Sequence, residues 1–328
     1  MDSASVARFR ADLRRIWPEV GEGGKLGVAV SGGPDSLALL LLANAALPGR
    51  VIAATVDHRL RPEAASEARI VERLCADLKV PHETVAVTVK PGNLQERARE
   101  ARYQALCGAI GRRGAEVFAT AHHADDQAET VLMRLNRGSG LSGLAGIRAR
   151  RVVIGESPLG EYLVVRPLLH WRRAELAQIV ADAGIDPVRD PSNDDTRFDR
   201  VQMRLALAEI PWLDPQAIAR SAAYLQDAEE AVEEAVLDAY NRYVFWEEEV
   251  AFAHWGHSRL IQAEIVGRVL RDLGAEVSRS AVAQMVEQLK CDGHATLGGI
   301  MAKRTMHQKD PLTQVDAWRF EREPPRRT

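Results

Sequence analysis

Apolar positions change their period several times along this chain. Val6, Phe9, Leu13 and Ile16 fall at helical spacing, which predicts an amphipathic first helix. From Leu26 onward, short unbroken apolar runs alternate with longer stretches of good helix formers. The pattern predicts strands over residues 26–31, 51–57, 83–89 and 116–121. Helices are predicted after residue 31 to about 46, and over 62–78, 94–112 and 125–137. Continuous apolar strands separated by helices mean βαβ units and a parallel sheet covered on both faces. The expected fold class is therefore α/β, a doubly wound parallel sheet. Ligands of such sheets bind at the carboxyl ends of the strands. That rule gathers Ser31 to Ser36, Asp57 with His58, and His122 to Asp126 along one edge.

Residues 152–154 and 162–165 look like a hairpin hung on the sheet, followed by a helix over 172–183 that stops at Gly184. From Asp214 the pattern changes. Long helices over 216–240, 259–273 and 281–289 dominate, without buried-strand runs. A boundary near Trp212 is expected, giving a catalytic domain at 1–212 and a smaller, mainly helical domain at 213–328.

Composition changes this picture little. Hydrophobic content of 46% and charged content of 27% describe an ordinary soluble chain, so a cytoplasmic protein is expected. The longest apolar run, 37–47, is interrupted by Asn44 and is too short for a bilayer, and no apolar signal core opens the chain. No membrane association is expected. Cys75, Cys107 and Cys291 form no C-x-x-C pair, which argues for a reducing compartment and against a disulfide framework, structural zinc or iron–sulfur cluster. Charge adds more. The net charge is −3, yet no carboxylate lies between Glu129 and Glu156, where Arg134, Arg137, Arg148, Arg150 and Arg151 fall. Such a window suits a phosphate backbone, and an ordinary solvated charged face fits it as well.

The sharpest chemistry is at the first strand end, Ser31, Gly32, Gly33, Pro34, Asp35 and Ser36. Two glycines let the backbone approach a ligand, and the free amides of the following helix favour an anion. The turn reads as a phosphate cradle, the alternative being a helix simply capped by Asp35 or Ser36. A P-loop would carry a lysine here, and it is missing. A carboxylate beside phosphates makes sense with Mg²⁺ between them, which points to Asp35. These residues resemble the signature of the PP-loop ATP pyrophosphatases. The resemblance implies cleavage of ATP between its α- and β-phosphates and use of AMP to activate an oxygen.

Four further motifs follow. His122, His123, Asp125, Asp126 and Glu129 lie at a second strand-to-helix junction, with Asp126, Glu129 and Thr130 on one helical face. Paired carboxylates there suit Mg²⁺ coordination or proton removal from an amine, although a helix dipole alone favours them too. Zinc on the two histidines lacks a cysteine or HExxH partner. Four glycines between Gly138 and Gly146, after Arg137, read as a flexible loop closing over a polyanion. Asn93 caps a helix carrying Gln95, Arg97, Arg99 and Arg102, where substrate contacts and exposed salt bridges are both open readings. Finally, the turn Asp190, Pro191, Ser192, Asn193 leads to a helix with Arg197, Arg200 and Arg204 in a row, good geometry for phosphate.

In this order the motifs resemble the tRNA(Ile)-lysidine synthetase family over roughly residues 25–205. The resemblance implies an ATP-dependent carbon–nitrogen ligase acting on an isoleucine tRNA with a CAU anticodon. The C2 oxygen of the wobble cytidine is adenylated, then free L-lysine attacks and expels AMP. Ser31, Gly32, Gly33, Pro34, Asp35, Ser36, Asp57 and His58 become the ATP residues, and Asp35 the Mg²⁺ ligand. His122, His123, Asp125, Asp126, Glu129, Arg97, Arg102 and Arg137 become substrate residues, with Asp35, Asp126, Arg200 and Arg204 catalytic and Asp126 the base. Val201 stands where the family carries an asparagine after the arginine. The second domain corresponds to an appended tRNA-binding domain, and a homodimer is left open. The alternative is another PP-loop enzyme, a tRNA thiolase or an amidating synthetase; the thiolases generally carry C-x-x-C pairs, absent here.

Overall fold

The computed structural model describes residues 2–57, 64–87, 94–155, 160–188, 195–248, 250–254, 256, 258–310 and 312–323. The chain divides into two compact units, residues 1–226 and 227–328.

The first unit opens with α1 (Ser3–Ile16), whose N-terminus is capped by the Asp2 carboxylate accepting from the amides of Ala4 and Ser5. Its predicted apolar stripe is real, since Phe9 and Leu13 are fully buried. The strands are β1 (Leu26–Ala29), β2 (Val51–Asp57), β3 (His82–Ala86), β4 (Val117–Ala119), β5 (Arg150–Ile154) and β6 (Glu161–Val165). They form one sheet in the order β3-β2-β1-β4-β6-β5, parallel throughout except for β5, which pairs antiparallel with β6. The hairpin expected on the sheet is this β5–β6 pair. Between the strands run α2 (Pro34–Ala46), α3 (Ala64–Asp77), α4 (Leu94–Gly111) and α5 (Ala124–Asn136). After them come α6 (Leu141–Leu144), α7 (Arg173–Asp182), α8 (Asp199–Ala208) and the long α9 (Pro215–Tyr243).

Both faces of the sheet are covered, as the unbroken apolar strands require. Val51 and Ala53 of β2 enter the core with α1, α2, α3 and α7, whereas Ile52 and Ala54 enter the one with α4. Leu37, Leu39, Leu40 and Leu42 of α2 are all fully buried, so this helix is wrapped on every side. Because β1 neighbours both β2 and β4, the chain reverses its winding there, and a crevice opens beyond the ends of those strands. The SGGPDS turn follows β1 and the histidine–aspartate motif follows β4.

The second unit departs from the helix-dominated expectation. Besides the end of α9, α10 (Arg259–Asp272) and α11 (Arg279–Asp292), it holds a five-stranded antiparallel sheet, order β7-β8-β11-β10-β9. The strands are β7 (Val244–Glu247), β8 (Val250–His254), β9 (His294–Leu297), β10 (Ile300–Asp310) and β11 (Thr313–Arg322). Their apolar residues alternate instead of running together, because one face meets the helices and the other does not. Ile300 and Ala302 are buried with Trp318 and Phe320, while Lys303 and Arg319 point away from that core. Gly298 and Gly299, at φ +60° and +76°, make the two-residue turn between β9 and β10. That glycine pair is the hairpin signal, and it stands in the sequence. Trp212, the expected boundary, is exposed just before α9, and the two compact units divide inside this helix, after Gln226. No helix among the described residues is long and apolar enough to cross a membrane.

Candidate functional site

Ser36 builds the turn after β1. Its hydroxyl accepts from the Ser31 amide at 3.1 Å and donates to the Gly33 carbonyl at 3.0 Å. Gly32 has φ +84°, and a Cβ there would stand 2.9 Å from Val188 Cγ2. The Gly32 carbonyl accepts from the Val188 amide at 2.9 Å, which ties the turn to the segment after α7. Gly33 is the N-cap of α2 and brings no side chain to it, and Pro34 follows in the first turn. No side chain caps α2, which removes the simple capping role for Asp35 or Ser36. The first amides of a buried helix thus face the crevice, with the dipole favouring an anion.

Asp35 lies in that first turn. Its Oδ1 is buried and has no hydrogen-bond partner among the described residues, and its Oδ2 lies 3.5 Å from His123 Nε2. A buried carboxylate oxygen left unsatisfied beside a phosphate-sized turn fits a hard divalent cation, because Mg²⁺ is usually held by one or two carboxylates plus phosphate oxygens. Asp57 ends β2 at the same sheet edge.

His123 is the N-cap of α5 and is only 3% exposed. Its amide donates to Asp126 Oδ2 at 3.1 Å, and its Nδ1 accepts from the Asp126 amide at 3.3 Å. With Nδ1 accepting, the proton belongs on Nε2, which faces Asp35 at 3.5 Å and Asp126 Oδ2 at 3.6 Å. Burial alone would depress the imidazole pKa. The Asp35 contact and the charges of Asp126, Asp35 and Asp125 outweigh it, and the net shift is upward. One imidazole therefore joins the turn after β1 to α5.

Asp126 and Glu129 share Arg200. The guanidinium donates through Nη2 to Asp126 Oδ1 at 2.6 Å and through Nε to Glu129 Oε2 at 2.7 Å. Burial pushes the Asp126 carboxyl upward, but His123, Arg200 and His122 bring it below the ordinary carboxylate range. For Glu129 burial wins over Arg200 and Arg204, and its carboxyl is raised. The cluster thus holds an ionised acid and a more basic one on adjacent helical turns.

Other residues singled out from the sequence land differently. Asp125 turns toward α7: it accepts from Arg172 Nη2 at 3.1 Å and from the Arg173 amide at 2.8 Å. Thr130 donates its hydroxyl back to the Asp126 carbonyl at 2.8 Å. His122 Nδ1 sits 2.9 Å from Thr120 Oγ1. Arg137 pairs with Asp199 at the exposed surface, 3.0 Å apart, and Arg102 is exposed on α4. Val201 is buried, so this position serves apolar packing. His58, Asn93 and the turn 190–194 lie outside the described residues, as does the side chain of Arg97.

The glycine-rich stretch 138–146, expected as a flexible connector, is instead pinned. Arg134 donates to the carbonyls of Gly143 and Gly146 at 2.9 and 3.0 Å, and Arg148 to that of Ser142 at 2.9 Å. Gln127, 1% exposed, accepts from the Ile147 amide at 2.6 Å and donates to its carbonyl at 3.1 Å. Gln226 of α9 donates to the carbonyls of Ala145 and Ile147 and accepts from the Ala149 amide. Two arginines of the carboxylate-free window are thus spent on loop carbonyls, while Arg150 and Arg151 stay exposed. Arg172, Gln127 and Gln226 carry no sequence signal for these duties, because their partners lie far away along the chain.

Comparison with known proteins agrees with this architecture. The PP-loop domain family matches residues 6–210. A tRNA(Ile)-lysidine synthase of Novosphingobium aromaticivorans is 42% identical over 336 aligned positions, covering 99% of this chain and 96% of that protein. One of Zymomonas mobilis is 39% identical, covering 93% and 90%. Among solved structures, the U34-tRNA thiolase NcsA from Methanococcus maripaludis, with its [4Fe-4S] cluster, superposes with a TM-score of 0.53. At 14% identity, over 69% of this chain and 81% of that one, the likeness is one of fold. The chain belongs to the tRNA(Ile)-lysidine synthase family of PP-loop enzymes.

Proposed function

We propose that this enzyme attaches free L-lysine to C2 of the wobble cytidine in an isoleucine tRNA with a CAU anticodon, consuming ATP and releasing AMP and pyrophosphate. The observation that carries the reading is His123, buried between Asp35 of the nucleotide turn and Asp126 of the carboxylate cluster. Two consecutive steps on one base need a nucleotide site and an amine site that share an edge.

In the first step the C2 oxygen of the cytidine attacks the α-phosphorus of ATP, and the bond to the bridging oxygen of the β-phosphate breaks. The uncapped amides at the start of α2 hold the departing pyrophosphate. Asp35 would hold Mg²⁺, which supplies charge neutralisation on the phosphates when bound. Arg200 and Arg204 lend positive charge where negative charge develops on the α-phosphate oxygens. In the second step the lysine amine bonds to C2 and the C2–oxygen bond breaks, its electron pair leaving with AMP. Asp126, ionised through its lowered pKa, takes the amine proton, and Glu129 lies beside it as a second acceptor. Residues 213–328 would grip the tRNA body. The reading is tested with ATP, labelled lysine and unmodified CAU-anticodon tRNA. Lysine label in the RNA supports it; ammonia or a sulfur donor replacing lysine refutes it in favour of another PP-loop chemistry.

A further inference from the structure

A polar cavity of about 300 Å³ lies in the first unit, lined by Asp12 and Arg15 of α1, His170 of the segment after β6, and Gln216 and Arg220 of α9. Its carboxylates are already engaged. Asp12 accepts from Trp171 Nε1 at 2.9 Å and pairs with Arg15 at 3.2 Å. Asp214, the next carboxylate, stands 3.8 Å from Arg220 and 3.9 Å from Arg172. Arg172 is committed to Asp125, whereas Arg15 and Arg220 each meet a single carboxylate, at 3.2 and 3.8 Å, and keep most of their side-chain surface exposed, which leaves guanidinium donors for an anion. His170 is held below its ordinary pKa, first by burial and then by the charges of Arg15, Arg8 and Arg220, against the opposing Asp12. An anion arriving beside the ring would oppose both the burial and the cations that lower its pKa.

We propose that Arg15, His170, Gln216 and Arg220 form a phosphate subsite, separate from the nucleotide turn, that takes a phosphodiester of the RNA substrate. The assignment rests on the tRNA reading for its ligand. The cavity is tied to the reaction edge through its own segment. His170 is followed by Trp171, whose carbonyl accepts from the Ala124 amide at 2.9 Å, and by Arg172, which holds Asp125. One short segment, 170–172, thus carries both a lining residue of the cavity and the groups that hold the start of α5. Guanidiniums, with planar forked donors, suit phosphate oxygens.

The test uses the full chain, comparing the native protein with Arg15→Gln/Arg220→Gln. Both arginines are exposed, and a thermal melt confirms that the variant is folded. Binding of CAU-anticodon tRNA is measured across a series of KCl concentrations. The variant is expected to bind about tenfold more weakly, with the slope of log K against log salt reduced by about 0.7 per lost phosphate contact. ATP affinity stays unchanged. Equal affinity and slope overturn the proposal. If the native protein binds no tRNA, the tRNA reading fails, and the subsite is judged by inorganic phosphate alone. Phosphate should then shift the His170 ring resonance, assigned with His170→Asn, in the native protein and not in the double variant. An unmoved resonance overturns the subsite.

Discussion

His123 Nε2 lies 3.5 Å from Asp35 Oδ2, so a side chain from the junction after β4 reaches the turn after β1. The two junctions are separated along the sequence by three helices and three strands. The doubly wound order brings them together, because β1 and β4 are neighbours. A buried imidazole then fixes their spacing. His123→Gln removes the Nε2 contact between two carboxylates and should cost about 2 kcal/mol of stability, a typical value for hydrogen bonds to charged groups. It should also lower turnover more than tenfold. Urea melts and steady-state lysine incorporation report the two effects.

The same histidine sets a pH dependence. Its folded pKa is raised, so the native state binds the proton more tightly than the unfolded chain does. Its contribution is complete below the ordinary histidine value of 6.5 and is lost as pH rises through the higher folded value. The stability gap between native protein and His123→Gln should therefore narrow between mildly acidic and alkaline pH. Melts at a series of pH values check this; a gap that widens with pH contradicts the Asp35–His123–Asp126 arrangement.

Arg200 serves two carboxylates at once, which needs a planar fork. Lysine keeps the charge but cannot donate along both directions. Arg200→Lys should lower kcat about a hundredfold, the equivalent of about 2.7 kcal/mol of transition-state stabilisation. KM for ATP should move little, because the turn proposed to hold the nucleotide is built by Ser36 and Gly32. Full kinetics in ATP and in lysine separate the two effects.

Gly32→Ala places a Cβ 2.9 Å from Val188 in a residue at φ +84°. The backbone strain alone costs about 1–3 kcal/mol. ATP affinity should fall with stability, since the amides of the turn are displaced together. Calorimetric titration with ATP, beside a thermal melt, measures both.

Gln127→Ala leaves the Ile147 amide without its side-chain partner, while Gln226 still donates to the Ile147 carbonyl. The expected cost is about 2 kcal/mol, the penalty of unsatisfied buried polar groups. Hydrogen exchange should rise at residues 145–149 while ATP binding persists.

Much of this was legible in the residues. Unbroken apolar strands announced the doubly wound sheet, and the strand-end rule placed Ser31 to Ser36 and His122 to Asp126 on one edge. Helical spacing put Asp126 with Glu129 on one face and Arg197, Arg200 and Arg204 on another, but the arginine row suggested phosphate, and the pairing of Arg200 with the two carboxylates is visible only in the fold. What stayed hidden needed tertiary distance. Asp125 looks equivalent to Asp126 in sequence, yet one helical step of about 100° turns it to Arg172, 47 residues away. The glycines of 138–146 suggested mobility, whereas Arg134, Arg148, Gln127 and Gln226 supply the carbonyl and amide partners that hold them. The sheet of the second unit escaped because its strands alternate, and only Gly298 with Gly299 marked a hairpin.

The most direct test follows the fate of α-labelled ATP with CAU-anticodon tRNA and lysine, in the native protein and in Asp35→Ala. The account predicts AMP and pyrophosphate in equal amounts, matched by lysine in the RNA, and none of the three from a folded Asp35→Ala. ADP with inorganic phosphate, or full turnover by Asp35→Ala, would contradict it.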